Sequence, residues 1–501
     1  MTIVQKENFV KNKMPTNDLP EGWALPRISD LIEINYGKGL KESDRKVGPV
    51  PVYGSNGVVG SHNVSLSKGA AIIVGRKGSV GFVHFSLMPC WPIDTTYYID
   101  KFNGLNPQFL MYALRTLDLA ALDTSTAIPG LNRNDVYMQK IPLPPLNEQK
   151  RIVAKVEELL TRVNATKERL AKVSLILKRF RQAVLAAACS GRLTADWREN
   201  NQKDSAEDLI LKTLNRLRSQ LEINGKVSLR TRYKEPIEPA YQIEFEIPDT
   251  WCLATVDQLT LLVTKGSSPK WQGFEYTEGG LPFVRSQNVL WGNLDLSDVA
   301  YLPVVFNESH KNSIIRQGDI LLNLVGASVG RSSIATEAIE GANCNQAVAI
   351  IRLVPDGILN KFLMYFFLSP YAQEHIHESK ADVARANFNL DDIRPMVVPV
   401  PPLTEQHEIV RRVEAMFKLA DAVEKRVAAA TVRANKLTQA ILAKAFRGEL
   451  VPTEAELARR EGRSYESASD LLARIKSDKE MNEISVKLHH KLDYKKRSKP
   501  R

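Results

Sequence analysis

The segment Ile141-Pro-Leu-Pro-Pro-Leu-Asn-Glu-Gln149 recurs as Val398-Pro-Val-Pro-Pro-Leu-Thr-Glu-Gln406, and this repetition constrains the fold more than any other feature of the chain. The same displacement of 257 positions carries Gln182-Ala-Val-Leu-Ala186 onto Gln439-Ala-Ile-Leu-Ala443 and Gly191 onto Gly448, with no insertion between. After each Pro-Pro, apolar or small residues recur with a seven-residue period. They are Ile152, Val156, Leu159, Val163, Leu170, Val173, Leu177, Phe180 and Val184 in the first copy, where Thr166 interrupts once. In the second they are Ile409, Val413, Met416, Ala420, Val423, Val427, Ala430, Ala434, Leu437 and Ile441. A heptad held over more than four repeats predicts a left-handed coiled-coil seam. Forty helical residues at about 1.5 Å each make a rod of roughly 60 Å.

The ends of these helices carry matching signals. The Pro pair stops any upstream strand or helix, Asn147 and Thr404 are N-cap types, and Glu148 and Glu405 suit the positive end of the helix dipole. Gly191 and Gly448 are placed to close the helices. The first helix ends where the middle of the chain begins and the second starts where it finishes, so an internal pair would be antiparallel. Pairing between two copies of the chain is the alternative.

With 501 residues and 44% hydrophobic side chains, the chain has material for more than one core. Its 68 Lys and Arg against 57 Asp and Glu leave a net charge of +11, which favours an acidic partner, nucleic acid before membrane. Cys90, Cys189, Cys252 and Cys344 form no CxxC, which argues against a disulfide framework or thiolate zinc site. The polar N-terminus lacks the apolar core of a signal peptide, and no run of eighteen apolar residues occurs, so a cytoplasmic location and no membrane partner are expected.

The order of segments is an N-terminal arm (1–18), a globule (19–145), a helical spacer (146–191), a linker (192–246) with a charged helix near Ala206 to Leu221, a second globule (247–402), a second spacer (403–448) and a tail (449–501). The first globule predicts strands at Pro51–Tyr53, Ala70–Val74, Gly81–Phe85 and Thr95–Ile99, and a helix from Pro107 to Leu122. The second starts at Ile247-Pro-Asp-Thr-Trp251, echoing Leu19-Pro-Glu-Gly-Trp23, and repeats further landmarks, with insertions of 29 residues in total. The fold class is therefore mixed α/β, two similar globules joined and separated by two long antiparallel coiled-coil helices. Two similar scaffolds with different loops suit recognition of two different things; duplication followed by drift is the alternative. The tail predicts a helix from Ser467 to Lys476 and ends in a basic run, Lys495 to Arg501, suited to non-specific attraction to phosphates.

Catalytic signatures are missing from the sequence. It has no Walker A motif, and Gly75-Arg-Lys-Gly-Ser-Val-Gly81 has the wrong spacing for a dinucleotide fingerprint and reads as a turn. Asn106-Pro-Gln-Phe109 reads as a helix start, since it departs from the Asn-Pro-Pro-aromatic tetrad of amino methyltransferases. His375 and His377 have no third metal ligand in view. What the globules offer is residue types that read base edges and phosphates. The candidates are Lys38, Lys41, Arg45, Lys46, Arg76, Lys77, Asn132 and Arg133 in the first globule. In the second they are Lys265, Lys270, Arg285, Gln287, Asn288, Asn323, Arg331, Arg385, Asn387 and Asn389.

Pro144-Pro-Leu-Asn-Glu-Gln-Lys-Arg-Ile152, Leu177-Lys-Arg-Phe-Arg-Gln-Ala-Val-Leu185, Pro401-Pro-Leu-Thr-Glu-Gln406 and Leu437-Thr-Gln-Ala-Ile-Leu-Ala-Lys-Ala-Phe-Arg-Gly-Glu-Leu450 give the layout a family likeness. It resembles the specificity subunit of type I restriction-modification enzymes, in particular the enterobacterial branch. The resemblance implies a non-catalytic bacterial subunit whose two target-recognition domains each read one half of a split asymmetric site in double-stranded DNA. The paired helices would fix the gap and dock two modification (methyltransferase) subunits, and restriction subunits would join the larger assembly. It implies no cofactor on this chain, with S-adenosylmethionine, ATP and Mg2+ used by the partners. Against it stand a fused enzyme, whose cofactor loop or paired carboxylates are not in the sequence, and a coiled-coil protein-interaction adaptor, which leaves the net charge unexplained.

Overall fold

The computed structural model describes residues 19–123, 130–201, 205–224, 237–239, 243, 245–381 and 388–481. The N-terminal arm and the basic run from Lys495 lie outside the described residues. The chain divides into two compact units, 1–171 with 428–501, and 172–427, so the division falls inside both long helices.

In the first unit a four-stranded antiparallel sheet has the order Asn35–Tyr36, Thr96–Ile99, Ala71–Gly75, Val83–Ser86. The period of two along Ala71–Gly75 sends Ile72 and Val74 into the main core and Ala71 and Ile73 to the opposite face, against Cys90. The helix Pro107–Thr116 covers the main face with Phe109, Leu110 and Ala113. It stops earlier than expected. Leu117 itself is extended, and Leu119–Leu122 forms a 3-10 turn that packs Leu119 over the hairpin at Gly81, where a Cβ would lie 2.7 Å from the Ala120 nitrogen. A second small sheet pairs Val50–Gly54 antiparallel with Gly57–His62 and parallel with Trp91–Pro92.

The second unit repeats this topology. Its four-stranded sheet runs Thr260–Lys265, Val348–Leu353, Ile320–Asn323, Ser332–Ile334, and its small sheet pairs Leu281–Val284 antiparallel with Ala300–Leu302 and parallel with Asn343–Cys344. The helix Asn360–Leu368 takes the place of Pro107–Thr116. Most of the inserted residues fall between Gly266 and Gly318, the counterparts of Gly37 and Gly69.

The long helices are Leu146–Cys189 and Leu403–Phe446, 44 residues each. In the first unit Ile152, Val156 and Val163, near the start of one helix, share a core with Ala434, Ile441 and Ala445, near the end of the other. In the second unit Val184, Leu185 and Ala188 share a core with Ile409 and Val413. The helices are therefore antiparallel within the chain. Leu177 and Ala420 are buried, whereas Leu159, Leu170, Val173, Phe180, Met416, Val423, Val427 and Ala430 are half-buried, as befits a two-stranded seam with no third layer. Leu437, expected in the seam, is 51% exposed. From Ala434 the inward face continues through half-buried Thr438 to Ile441, so the step of four precedes the step of three, and the true helical repeat turns Leu437 outward.

The repeated Glu-Gln proves to be a docking device. Gln149 accepts the Asn106 N–H at 3.0 Å and donates to the Pro144 carbonyl; Gln406 accepts from Leu359 at 2.8 Å and donates to Pro401. Glu148 accepts the Trp23 indole N–H and Glu405 that of Trp251, both at 2.9 Å. Both glutamates are buried, so the first turn is set by these contacts. Asn147 and Thr404 are not the caps: the helices begin one residue earlier, with the Gln149 N–H already bonded to the Pro145 carbonyl and that of Gln406 to Pro402.

At the other end Gly191 and Gly448 adopt φ of 73° and 75°. A Cβ on Gly448 would meet Pro20 Cγ at 2.4 Å, and one on Gly191 would meet Pro248 Cγ at 2.5 Å. Gly462 shares the left-handed backbone at φ 63° but faces open space. Gly448→Ala is therefore expected to destabilise the first unit by more than Gly462→Ala, which pays only the backbone strain of about 1–2 kcal/mol. Equal losses in denaturant titrations of the two variants would show that the Pro20 contact carries no weight.

The two helices expected near Ala206 and after Ser467 are a third repeated element, a correspondence not drawn from the sequence. Ser205-Ala-Glu-Asp-Leu209 and Ser467-Ala-Ser-Asp-Leu471 open matching helices, Ala206–Asn224 and 468–481. The Ala206 N–H bonds the Thr250 carbonyl at 3.1 Å, and that of Ala468 bonds Gly22 at 2.9 Å. The first helix buries Ala206, Thr213 and Leu217 in the second unit, so it is folded structure within the stretch read as a linker; the second buries Leu471 and Ile475 in the first unit.

Candidate nucleic-acid interface

In the first unit the sheet delivers an aromatic–cation cluster to its rim. Tyr36 ends the edge strand opposite Tyr97, and the two rings meet edge-on at 5.1 Å. Arg76 follows the strand Ala71–Gly75, and Arg133 is the first residue of the helix Arg133–Met138. The Arg76 guanidinium lies 5.1 Å from the Tyr36 ring centre, and that of Arg133 lies 4.8 Å from the same ring. Tyr36 is 50% exposed. Each guanidinium donates to a backbone carbonyl, Arg76 to Asp94 at 3.3 Å and Arg133 to Ile34 at 3.2 Å, and neither forms an ion pair among the described residues. Burial pushes the pKa of the Tyr97 phenol beneath them up, and it remains a neutral donor to the Leu131 carbonyl at 2.8 Å.

Lys38, Lys41, Lys46 and Lys77 are exposed around this unit and make no ion pair among the described residues. Arg45 is engaged, donating to the Val59 carbonyl at 2.8 Å over Gly60. Asn132 accepts the Asn134 N–H and caps the helix that carries Arg133.

In the second unit Lys265 and Lys270 are exposed and unpaired among the described residues. Arg331 is half-buried, with its Nε unpartnered. Arg285 and Gln287 both bind Asp298, at 2.6 Å through its carbonyl and 2.8 Å through its carboxylate. Asn288 and Asn323 were expected at the surface, but they lie inside the fold, 2% and 0% exposed. Asn288 ties its own turn to Asp295 and Asp298, and Asn323, ending a fully buried strand, donates to Ser286. Asn389 caps a short helix through the Asp391 N–H. Arg385 and Asn387 lie outside the described residues.

Sequence reasoning passed over Tyr36, Trp271 and Trp291, the latter two 89% and 53% exposed. Aromatic residues are assigned to the core by default; a long irregular insertion around Trp271 and Trp291 was the available signal. Burial pushes the pKa of the Cys189 and Cys344 thiols up to about 12 and that of Cys252 up to about 11, so none is a reactive thiolate at neutral pH. Among the described residues no group of His, Cys, Asp and Glu could hold a metal ion, and no helix is long and apolar enough to cross a membrane.

The family model described as the type I restriction modification DNA specificity domain matches residues 20–175 and 262–430. The chain belongs to this family. Among its curated relatives, the type I restriction enzyme EcoBI specificity subunit of Escherichia coli is 36% identical over 356 residues, 70% of this chain and 66% of that one. The chain thus spans just under two thirds of that relative. The EcoKI specificity subunit of Escherichia coli strain K12 is 30% identical over 471 residues, covering 87% of this chain and 91% of the relative. A solved structure concerned with complex assembly and conformational transition of the type I R-M system superposes with a TM-score of 0.58 at 19% identity. It covers 86% of this chain and 99% of the other, and supports the fold. As a type I specificity subunit the chain is non-catalytic, and its role is DNA sequence specificity.

Proposed function

We propose that each globule reads one half of a bipartite, asymmetric site in double-stranded DNA, and that the paired helices set the gap between the halves. The helices also dock two methyltransferase subunits, which restriction subunits join; S-adenosylmethionine, ATP and Mg2+ are used by those partners, in the bacterial cytoplasm. The observation that carries this reading is a shared frame with different chemistry at its rim. Hydrogen-bond register aligns Gly37 with Gly266, whose N–H groups bond Thr96 and Val348. The same register puts Tyr36 level with Lys265 and Arg76 level with Leu324, and the helix caps Asn132 and Asn389 put Arg133 level with Leu390. One backbone thus carries two aromatic-bound guanidinium groups in one globule, where the other has the exposed Lys265 and two leucines, Leu324 and Leu390, packed into its core, which suits two unlike half-sites.

The test is genome-wide adenine methylation in cells expressing this chain with its methyltransferase partner, compared with cells lacking the chain. A split motif with two defined halves and a fixed gap is expected, with in vitro binding that weakens steeply with salt. Chain-independent methylation from a folded complex would favour the protein-interaction adaptor instead.

A further inference from the structure

We infer that Arg76 and Arg133, both stacked on Tyr36, read guanine in the half-site of the first globule. This rests on the DNA-specificity reading above and adds the base and the residues. Three features select a base-reading role. First, the two guanidinium groups come from separate segments, the end of a central strand and the start of a short helix, yet they flank one half-exposed ring at 5.1 and 4.8 Å. Second, no carboxylate is paired with either among the described residues, so N–H donors on both forks stay available. Third, each fork is held in place, by Tyr36 and a backbone carbonyl, and by a second ring in each case: Tyr97 at 5.8 Å for Arg76 and Tyr137 at 5.8 Å for Arg133.

A phosphate accepts a donor from many directions, and the exposed Lys38, Lys41, Lys46 and Lys77 meet that need with flexible stems. A fork fixed in orientation is instead suited to a planar pair of acceptors. In the major groove that pair is guanine O6 and N7, which a guanidinium meets with two parallel hydrogen bonds. The second globule, with Lys265, Leu324 and Leu390 in the same frame, lacks this device.

The experiment compares methylation motifs set by the wild-type chain, Arg76→Lys, Arg133→Lys and Tyr36→Ala in cells that hold the partner methyltransferase, with in vitro binding of the same complexes at several salt concentrations. Lysine keeps the charge and removes the fork. Each lysine variant is expected to relax one G·C position, both in the same half of the motif, with discrimination there falling about 5- to 150-fold. The other half and the slope of affinity against salt stay unchanged, because no phosphate contact is lost. Tyr36→Ala removes the ring that both guanidinium groups share and is expected to relax both G·C positions together. Uniform weakening with no relaxed base, relaxation in different halves, or a wild-type motif with a half free of G·C where these variants act would overturn the assignment. If the wild-type chain directs no motif, the parent reading fails instead, and the wild-type arm reports this separately. Should a lysine variant fail to fold by thermal unfolding, Arg76→Gln and Arg133→Gln carry the same expectation, since glutamine prefers adenine and would shift the position rather than only weaken it.

Discussion

Glu405→Ala is expected to destabilise the second unit by about 3–5 kcal/mol, the range for breaking a buried ion pair by removing one partner. For a unit of this size that corresponds to a fall in Tm of roughly 6–20 °C. The Glu405 carboxylate is 1% exposed and accepts four donors: the Trp251 indole at 2.9 Å, the Thr194 hydroxyl at 2.7 Å, and the Arg198 guanidinium through Nε at 3.1 Å and Nη2 at 2.7 Å. Truncation leaves the guanidinium, which is itself only 16% exposed, without its charge partner, and leaves the indole N–H unmatched. The loss strikes where helix, globule and the segment after the first helix meet. Glu405→Gln keeps an acceptor for Trp251 and should fall between alanine and wild type. Glu414→Ala is the control, since its pairing with Lys361 joins side chains about half exposed and is worth under about 1 kcal/mol. A Glu405→Ala protein that melts within 2 °C of the control would remove this carboxylate from the list of elements that hold the unit together. Glu148 plays the matching part in the first unit, with the Trp23 indole at 2.9 Å and the Glu454 N–H at 2.8 Å. There burial raises the glutamate's pKa, opposed by those hydrogen bonds.

These contacts explain what could and could not be read from the sequence. The heptads, the paired Pro-Pro segments and the closing glycines are local patterns, and they fall on the two long helices and their ends, with Leu437 turned out of the seam. Glu148 and Glu405 were legible only in part. Their place at a helix start is a local fact, but their partners, Trp23 and Trp251, lie 125 and 154 residues away, and no periodicity reports such a pairing. Their recurrence with Pro20 and Pro248 was nonetheless visible as an echo in the two globule starts. Leu437 failed because a strict period of seven ignores the drift of a real helix, and a local switch from three to four residues turns one side chain outward. The base-reading candidates were the least legible group. Asn, Arg and Gln serve caps and turns as readily as they serve ligands. Asn132 and Asn389 became caps and Asn288 and Asn323 became internal ties, while Arg76 and Arg133 were distinguished only by a shared aromatic neighbour.

Inserting one heptad into both long helices, between Ala171 and Lys172 and between Val427 and Ala428, is expected to lengthen the recognised gap by about 3 bp and leave both half-sites unchanged. Both insertions are needed because the helices are antiparallel partners, and lengthening one alone would shift every seam contact on one side of the insertion. Seven residues preserve the phase of the seam, so Ile152, Val163 and Ala434 keep their neighbours in the first unit, as do Val184 and Ile409 in the second. The added rise is about 10.5 Å, against about 3.4 Å per base pair. Three base pairs also turn the DNA by close to a third of a revolution, so the two halves no longer face the protein as before and affinity should fall alongside the change in gap. Three heptads in each helix add about 31.5 Å, close to one DNA turn, and should bind better than one heptad despite the larger change. Methylation motifs of the two variants separate the possibilities. A gap that grows with the insertion supports helices that act as the spacer. A gap that stays fixed in both, with folded complexes and intact half-sites, would show that spacing is set elsewhere, and the helices would then be a docking surface only.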